Sequence, residues 1–196
     1  MITDHKLLLE AYNSLFDNIT VRRDEVLKFK EFLETRTSWL TSPASTRFHL
    51  NIERGLLIHS VGVALNAIKI KNLLAPDISD ESITIVSLFH DIGKVGDVDI
   101  PYYLKNDVDW EIKKGIAYKT NPEIVTMSLG TRSLYLISQH VKLSQQEAQA
   151  IVAHDGLYPT NGGVNNLEYF HRECRLQMIL HFADKWTAAV EEENRK

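Results

Sequence analysis

The chain has one cysteine, Cys174, among its 196 residues, and this scarcity excludes several kinds of site. A single cysteine allows neither an internal disulfide nor a zinc site built from several thiolates. Chains without disulfides are typical of reducing compartments, so we expect a cytoplasmic protein. The first residues, MITDHKLLLEAYNSLF, carry charged and polar side chains throughout, which fits neither a secretory signal nor a transit peptide.

Long apolar runs and a strong charge of one sign are also missing. No uninterrupted apolar segment approaches the ~18 residues that a membrane-spanning helix needs, so we expect no membrane partner. The formal net charge of -4 argues against broad nucleic-acid binding but leaves room for a local basic pocket that holds a phosphate. With 44% hydrophobic and 24% charged residues, the composition is typical of a soluble globular protein.

The apolar residues that are present recur with helical spacing, and the chain has no internal repeat. Residues 96–121 are polar and aperiodic, which predicts a long loop with one short helix or hairpin. The length suits a single domain. We therefore expect an all-α fold, with helices at residues 5–17, 22–40, 54–74, 79–90, 122–140, 144–154 and 168–193.

Four ionisable residues lie where this pattern places core side chains. His59, His90 and Asp184 each lie on the apolar stripe of a predicted helix, and Asp91 directly follows His90. Burying such groups costs free energy unless something pairs with them, and a metal ion is one such partner. Imidazole and carboxylate ligands together suit a divalent transition metal, namely Mn, Fe, Co, Ni or Zn.

Three segments, FHLNIERGLLIHS, LFHDIGK and LHFADKWTA, carry these residues in the order His59, then His90 and Asp91, then Asp184. The three together resemble the HD-domain superfamily of metal-dependent phosphohydrolases, over about residues 47–190. The resemblance implies a helical bundle with a metal site in its core, formed by residues 47–196. Residues 1–46 are then N-terminal helices that pack on this core or pair between chains in a homo-oligomer.

The resemblance also implies a role for each matched residue. His59, His90, Asp91 and Asp184 are the expected metal ligands, and Lys94 is expected to hold a substrate phosphate. A metal ion polarises a phosphoryl oxygen and activates a bound water, while a nearby ammonium offsets the developing charge. Asp91 or Asp184 would orient that water. The expected reaction is hydrolysis of a phosphomonoester or phosphodiester, and the resemblance favours a nucleotide as substrate.

The number of metal ions depends on two further histidines. Dinuclear members of the superfamily have two additional histidine ligands between the HD pair and the last aspartate, and the candidates here are His140 and His154. His140 matches poorly, because related sequences carry a histidine near the position of Leu129. We therefore expect one metal ion per chain rather than two, with His154 and Asp155 lining the pocket.

Two arginines are candidates for further contacts with a substrate phosphate. Arg54 stands where the family pattern usually has a glycine, and Arg132 is the second candidate. His49 corresponds to the first histidine of the opening segment and is expected near the site. A lone histidine on an apolar stripe is more often a hydrogen-bonded core residue than a ligand, so we expect His171 and His181 to be structural or exposed.

Two other functions remain open on the sequence alone. A dinuclear iron oxygenase on the same scaffold would need both His140 and His154 as ligands. A non-catalytic regulatory module would bind a nucleotide and gain stability from it, without turnover. The glutamates of the segment EEEN, at residues 191–194, are expected to form a solvated tail.

Overall fold

The structure is a computed structural model that describes residues 1–155 and 173–192, and this part of the chain is mostly helical. It contains a 3₁₀ turn at Ile92–Val95 and a π-helical turn at Thr187–Glu192, which continues the last helix. The described residues form eight α-helices: α1 (His5–Leu15), α2 (Arg23–Arg36), α3 (Gly55–Leu74), α4 (Asp80–Phe89), α5 (Asp109–Lys113), α6 (Leu129–Ser138), α7 (Gln145–Val152) and α8 (Arg175–Trp186).

The segment predicted as a loop, residues 96–121, contains α5 and also two short antiparallel hairpins. Gly96 has a φ of 96°, and a Cβ there would lie 2.2 Å from the carbonyl oxygen of Ile100, so the first hairpin requires glycine. The paired strands are β1 (Gly96–Asp97) with β2 (Ile100–Pro101), and β3 (Tyr103–Lys105) with β4 (Tyr118–Thr120).

Helices α2 and α6 are shorter than the sequence predicts, because hydroxyl side chains bind the backbone at their ends. Helix α2 ends at Arg36, since the hydroxyl of Thr37 donates to the carbonyl oxygen of Leu33 and accepts the N–H of Trp39. Helix α6 begins at Leu129 because Ser128 is its N-cap. The predictions that these helices reach residue 40 and begin at residue 122 are therefore wrong.

The ends of α7 and α8 are defined in different ways. A capping box starts α7, since the side chains of Ser144 and Glu147 each accept the other's backbone N–H. Helix α8 begins at Arg175, later than the predicted residue 168. Residues 168–172 and 193, which belong to the same prediction, lie outside the described part of the chain.

The hydrophobic core joins the N-terminal helices to α3 and α4. The indole N–H of Trp39 donates to the hydroxyl of Tyr12 at 3.1 Å, and the rings of Phe29 and Phe89 meet edge to face with centroids 5.2 Å apart. All four side chains belong to one buried cluster. Helices α1 and α2 therefore pack on the core, while the division of the chain at residue 47 stays a prediction.

Helix α3 lies at the centre of the fold, because α1, α4 and α8 all pack against it. Its side chains are buried around most of its circumference, as expected for a helix that is apolar on nearly all sides. The ring of His59 is therefore enclosed by neighbouring helices. Although α3 has 20 residues, neither it nor any other helix among the described residues is long and apolar enough to cross a membrane.

A buried ion-pair network ties the start of α2 to α4 and α7. The guanidinium of Arg22 donates to Glu81 at 2.6 Å and to both carboxylate oxygens of Glu147, at 2.7 and 2.9 Å. Glu81 also accepts the backbone N–H groups of Thr20 and Val21. Burial alone would raise the pKa of both glutamates, but these hydrogen bonds outweigh it and lower the pKa of each.

Replacing Arg22 with methionine is expected to lower the free energy of unfolding by about 3 kcal/mol, because two buried carboxylates lose their partner. The lowered pKa of Glu81 and Glu147 means that this stabilisation is present above the ordinary glutamate pKa of about 4.3 and is lost as the pH falls through the lowered values. Urea unfolding at pH 7 and at acidic pH measures both effects.

The matched control is Arg175→Met, because Arg175 forms an ion pair with Asp77 on the protein surface. Surface pairs contribute little to stability, so the unfolding midpoint of this variant should match that of the wild type. Equal destabilisation by the two substitutions would contradict a special role for the buried network.

Candidate metal centre

The structure brings together the four residues that the sequence suggests as metal ligands. His59 lies on α3, His90 and Asp91 follow α4, and Asp184 lies on α8. Nε2 of His59 is 3.1 Å from Asp184 Oδ1 and 3.6 Å from Asp91 Oδ2. Nε2 of His90 is 3.6 Å from Asp91 Oδ2 and 3.9 Å from Asp184 Oδ1. Side chains that are distant in sequence therefore converge on one point.

His90 provides the sharpest indication that a cation belongs at this point. Its Nδ1 donates to the carbonyl oxygen of Ser87 at 2.8 Å, which leaves Nε2 as the unprotonated nitrogen of a neutral ring. Burial lowers the pKa of His90 to about 4, which favours the neutral form. Its Nε2 is buried, has no hydrogen-bond partner and faces Asp91 and Asp184. A lone pair that faces two carboxylates is repelled by them, and a shared metal ion would remove that repulsion.

His154 is a fifth member of this cluster, which we call the metal cluster: His59, His90, Asp91, His154 and Asp184. Its Nδ1 donates to the carbonyl oxygen of Ile151 at 2.8 Å, and its Nε2 is 3.5 Å from Asp91 Oδ1. The ligand atoms of His90, His154 and Asp184 lie within 4.8 Å of one another. The buried side chain of His154 is thus placed to act as a ligand, whereas the expectation that it lines the pocket is not met.

The charges in the cluster are balanced by close contacts. Burial disfavours the charged form of His59, but hydrogen bonds with Asp184 and Glu192 outweigh it and raise the pKa of the ring to about 10. Burial likewise disfavours the charged form of His154, but the hydrogen bond and the negative charge of Asp91 outweigh it and raise the pKa of the ring to about 9. The two aspartates have lowered pKa values, because the cationic groups around them outweigh the effect of burial. Both aspartates are therefore carboxylate anions, which is the form that could bind a metal ion.

Lys94 is the cation nearest to Asp91. Its Nζ lies 2.5 Å from Asp91 Oδ2. Burial disfavours the ammonium, but Asp91 and Tyr103 outweigh this effect and raise the pKa of Lys94. Lys94 also lines a cavity of about 410 Å³ whose walls include His59, Asp91, Asp155, Asp184 and Lys185. A fixed positive charge therefore faces the same space as the metal cluster.

Glu192 is a residue of the site that the sequence interpretation missed. The expected solvated tail is wrong at this position, because the Glu192 side chain is only 1% exposed and its Oε1 lies 3.0 Å from Nδ1 of His59. In a regular α-helix, residue 192 would be turned about 80° away from Asp184. The π-helical turn brings Glu192 back to the side of the helix that carries Asp184. No pattern of apolar residues in the sequence predicts this turn.

Three residues suggested for the site lie elsewhere. His140 packs against the rings of Phe29 and Phe32, with centroids 5.2 and 4.4 Å away, which removes it from the candidates for a second metal. The guanidinium of Arg54 is 3.9 Å from Glu53 at the surface. Arg132 is buried, donates to the carbonyl oxygen of Val125 and lies over the ring of Tyr102. Among the described residues, neither arginine lines the cavity.

The remaining residues named from the sequence lie near the cavity or outside the described ranges. Asp155 lies at its mouth, half exposed, with Oδ1 3.5 Å from Nε2 of His154. His49 also lines the cavity. His181 has a structural contact as expected, since its Nδ1 donates to the carbonyl oxygen of His154 at 2.7 Å. His171 lies outside the part of the chain that the structure describes.

Comparison with known proteins adds no assignment. No protein-family model, no curated protein and no solved structure matches this chain. The geometry and chemistry of the cavity therefore carry the functional interpretation.

Proposed function

We propose that this protein is a metal-dependent phosphohydrolase with one divalent transition metal ion in the metal cluster. The single observation that carries the proposal is the buried, unpartnered Nε2 of His90, which faces Asp91 and Asp184. These two carboxylates line a cavity together with Lys94. Metal ions and fixed ammonium groups serve together where phosphate is the substrate. The order of the motifs, which resembles the HD-domain superfamily, supports the same chemistry.

The metal cluster and Lys94 have different roles in the proposed hydrolysis. A divalent metal ion held here would polarise a phosphoryl oxygen and lower the pKa of a bound water. The side chain of Asp91 is paired with Lys94 and only 5% exposed, whereas that of Asp184 is paired with His59 but 18% exposed. Asp184 is therefore the better placed of the two aspartates to orient the attacking water. Lys94 binds the phosphate and offsets its developing charge.

A groove beside the cavity supports a substrate with an aromatic organic group. The groove has a volume of about 630 Å³ and shares His181 and Lys185 with the cavity. Phe182 and Trp186 line it and are more than half exposed. An ester whose phosphate lies at the metal would place its organic group here, where an aromatic ring such as a nucleobase stacks on indole. Lys185, rather than Arg54 or Arg132, then contributes the second cation.

The rival functions receive less support from the geometry. A dinuclear oxygenase was expected to need His140 as a ligand, and that ring packs on phenylalanines instead. A binding module without turnover would share the metal cluster, so activity separates it from an enzyme.

Elemental analysis together with a substrate panel tests the proposal. The protein is supplied with Mn, Fe, Co, Ni and Zn in turn, and metal per chain is measured before assays with phosphate monoesters and diesters. We expect one metal ion per chain and metal-dependent hydrolysis, with lower KM for nucleotides and aryl phosphates than for methyl phosphates. Metal binding without any turnover would favour the binding module, and two irons with oxygen consumption would favour the oxygenase.

A further inference from the structure

The π-helical turn Thr187–Glu192 brings a buried carboxylate behind one of the proposed metal ligands. Both oxygens of Glu192 are near Nδ1 of His59, at 3.0 and 3.2 Å, while Nε2 of the same ring faces Asp91 and Asp184. The two nitrogens of His59 therefore meet acidic groups on opposite sides. Since π-helical turns are rare and often occur at functional sites, this contact is a candidate for a specific role.

The π-helical turn is held by hydrogen bonds to α3, the helix that carries His59. The side-chain amide of Asn66, on α3, donates to the hydroxyl of Thr187 and to Oε1 of Glu191, each at 2.9 Å. Asn66 follows His59 by seven residues, which is about two turns of α3. The helix that presents the ring therefore also fixes the turn that presents the carboxylate, so the distance between them is set by a short rigid path.

The other two histidines of the metal cluster show what Glu192 does differently. His90 and His154 donate their Nδ1–H to the backbone carbonyl oxygens of Ser87 and Ile151, each at 2.8 Å. All three rings thus have Nδ1 occupied and Nε2 directed at the carboxylates. Only His59 has a carboxylate rather than a carbonyl as the acceptor, and an anionic acceptor makes an imidazole a stronger ligand.

We propose that Glu192 is a positioning residue for His59. It accepts the Nδ1–H and fixes the orientation of the ring, so that Nε2, once it has lost its proton, would be directed at the metal ion. This inference rests on the proposed function, because it requires a metal ion in the cluster. Glu192 itself touches neither substrate nor metal in this arrangement. Its effect appears first in metal affinity and only through that in catalysis.

Affinity for Zn²⁺, measured by competition with a chelating dye, tests the role of Glu192. For Glu192→Ala we expect about 10- to 100-fold weaker binding at unchanged stoichiometry, which is the usual effect of removing such a hydrogen-bond partner. Glu192→Gln should lose less, because its amide oxygen still accepts the Nδ1–H. The matched control is Glu191→Ala, which removes one of the two Asn66 hydrogen bonds to the turn but keeps the bond to Thr187 and leaves Glu192 in place. This control should bind Zn²⁺ as the wild type does.

Nitrogen-15 NMR of the zinc-bound protein supplies a readout that general destabilisation would not reproduce. We expect a His59 Nδ1–H signal protected from solvent exchange in the wild type and in Glu192→Gln, and its loss in Glu192→Ala. Wild-type affinity in Glu192→Ala, or equal weakening in Glu191→Ala, would overturn the positioning role while leaving the proposed function intact. A second zinc ion that disappears with Glu192 would make it a ligand together with His49, whose Nε2 is 3.7 Å away, and would also overturn it. A wild type that binds no metal would overturn both proposals.

Discussion

Asp184→Ala is expected to abolish stoichiometric metal binding and to lower kcat/KM for phosphate esters by about 10³-fold or more. Asp184, like Asp91, lies close to both His59 and His90, and it is also the carboxylate that we assign to the water. Metal ions contribute several kcal/mol to transition-state stabilisation in such reactions, and each 1.4 kcal/mol corresponds to about a factor of ten in rate. Elemental analysis and steady-state kinetics on the same preparation measure the two losses.

Two further variants make this result interpretable. Asp107→Ala removes an exposed aspartate that pairs with Lys119, so metal content and activity should stay at the wild-type level. Asp184→Asn keeps the size of the side chain and loses only its charge, and it should bind metal far more weakly than the wild type if the carboxylate is a ligand. Retention of one tightly bound metal ion by Asp184→Ala would show that the metal lies elsewhere.

Lys94→Met is expected to lower kcat by about 10²- to 10³-fold, the range seen when one group that stabilises a developing negative charge is removed. Metal binding should change in the opposite direction. In the wild type the ammonium of Lys94 occupies Oδ2 of Asp91, so its removal frees that oxygen and takes a positive charge away from the metal cluster. We therefore expect a variant that binds Zn²⁺ more tightly than the wild type and yet turns over far more slowly.

The combination of tighter metal binding and lower kcat distinguishes a catalytic role of Lys94 from a purely structural one. If Lys94 only neutralised Asp91, the variant would bind metal more tightly and keep its rate. Lys119→Met is the control, because Lys119 has a comparable contact with Asp107 on the surface and should change neither quantity. Thermal unfolding of the metal-free variants shows whether Lys94→Met remains folded.

The meeting of His59, His90, Asp91 and Asp184 in the core could be predicted from the sequence, because polar groups on apolar helix faces are costly to bury without partners. The spacing of His59, His90 and Asp184 from their apolar neighbours places each of them on the buried face of a helix, and this spacing can be read directly from the sequence. The helical character of the fold follows from the same periodicity. The limits of α2 and α6 were less predictable, since single hydroxyl side chains at Thr37 and Ser128 decide where each helix ends or begins.

The residues that were misjudged depend on contacts that spacing does not encode. The guanidinium of Arg132 is held by a carbonyl oxygen and an aromatic ring, and these partners meet it only in the folded chain. Glu192 was assigned to solvent because a charged run near a helix end usually is solvated. A change from α-helical to π-helical winding after Trp186 brings it inward, and nothing in residues 187–192 announces that change.

The Arg22 network also has a consequence for the order of folding. Its partners lie 59 and 125 residues away along the chain, so the contacts are strongly non-local. Closing long loops costs entropy, and proteins that depend on such contacts fold more slowly than those built from local ones. During synthesis on a ribosome, the ion pair between Arg22 and Glu147 cannot form until residue 147 has been added. The link between the start of α2 and α7 therefore forms late, in the step that also adds α7 and, directly after it, His154.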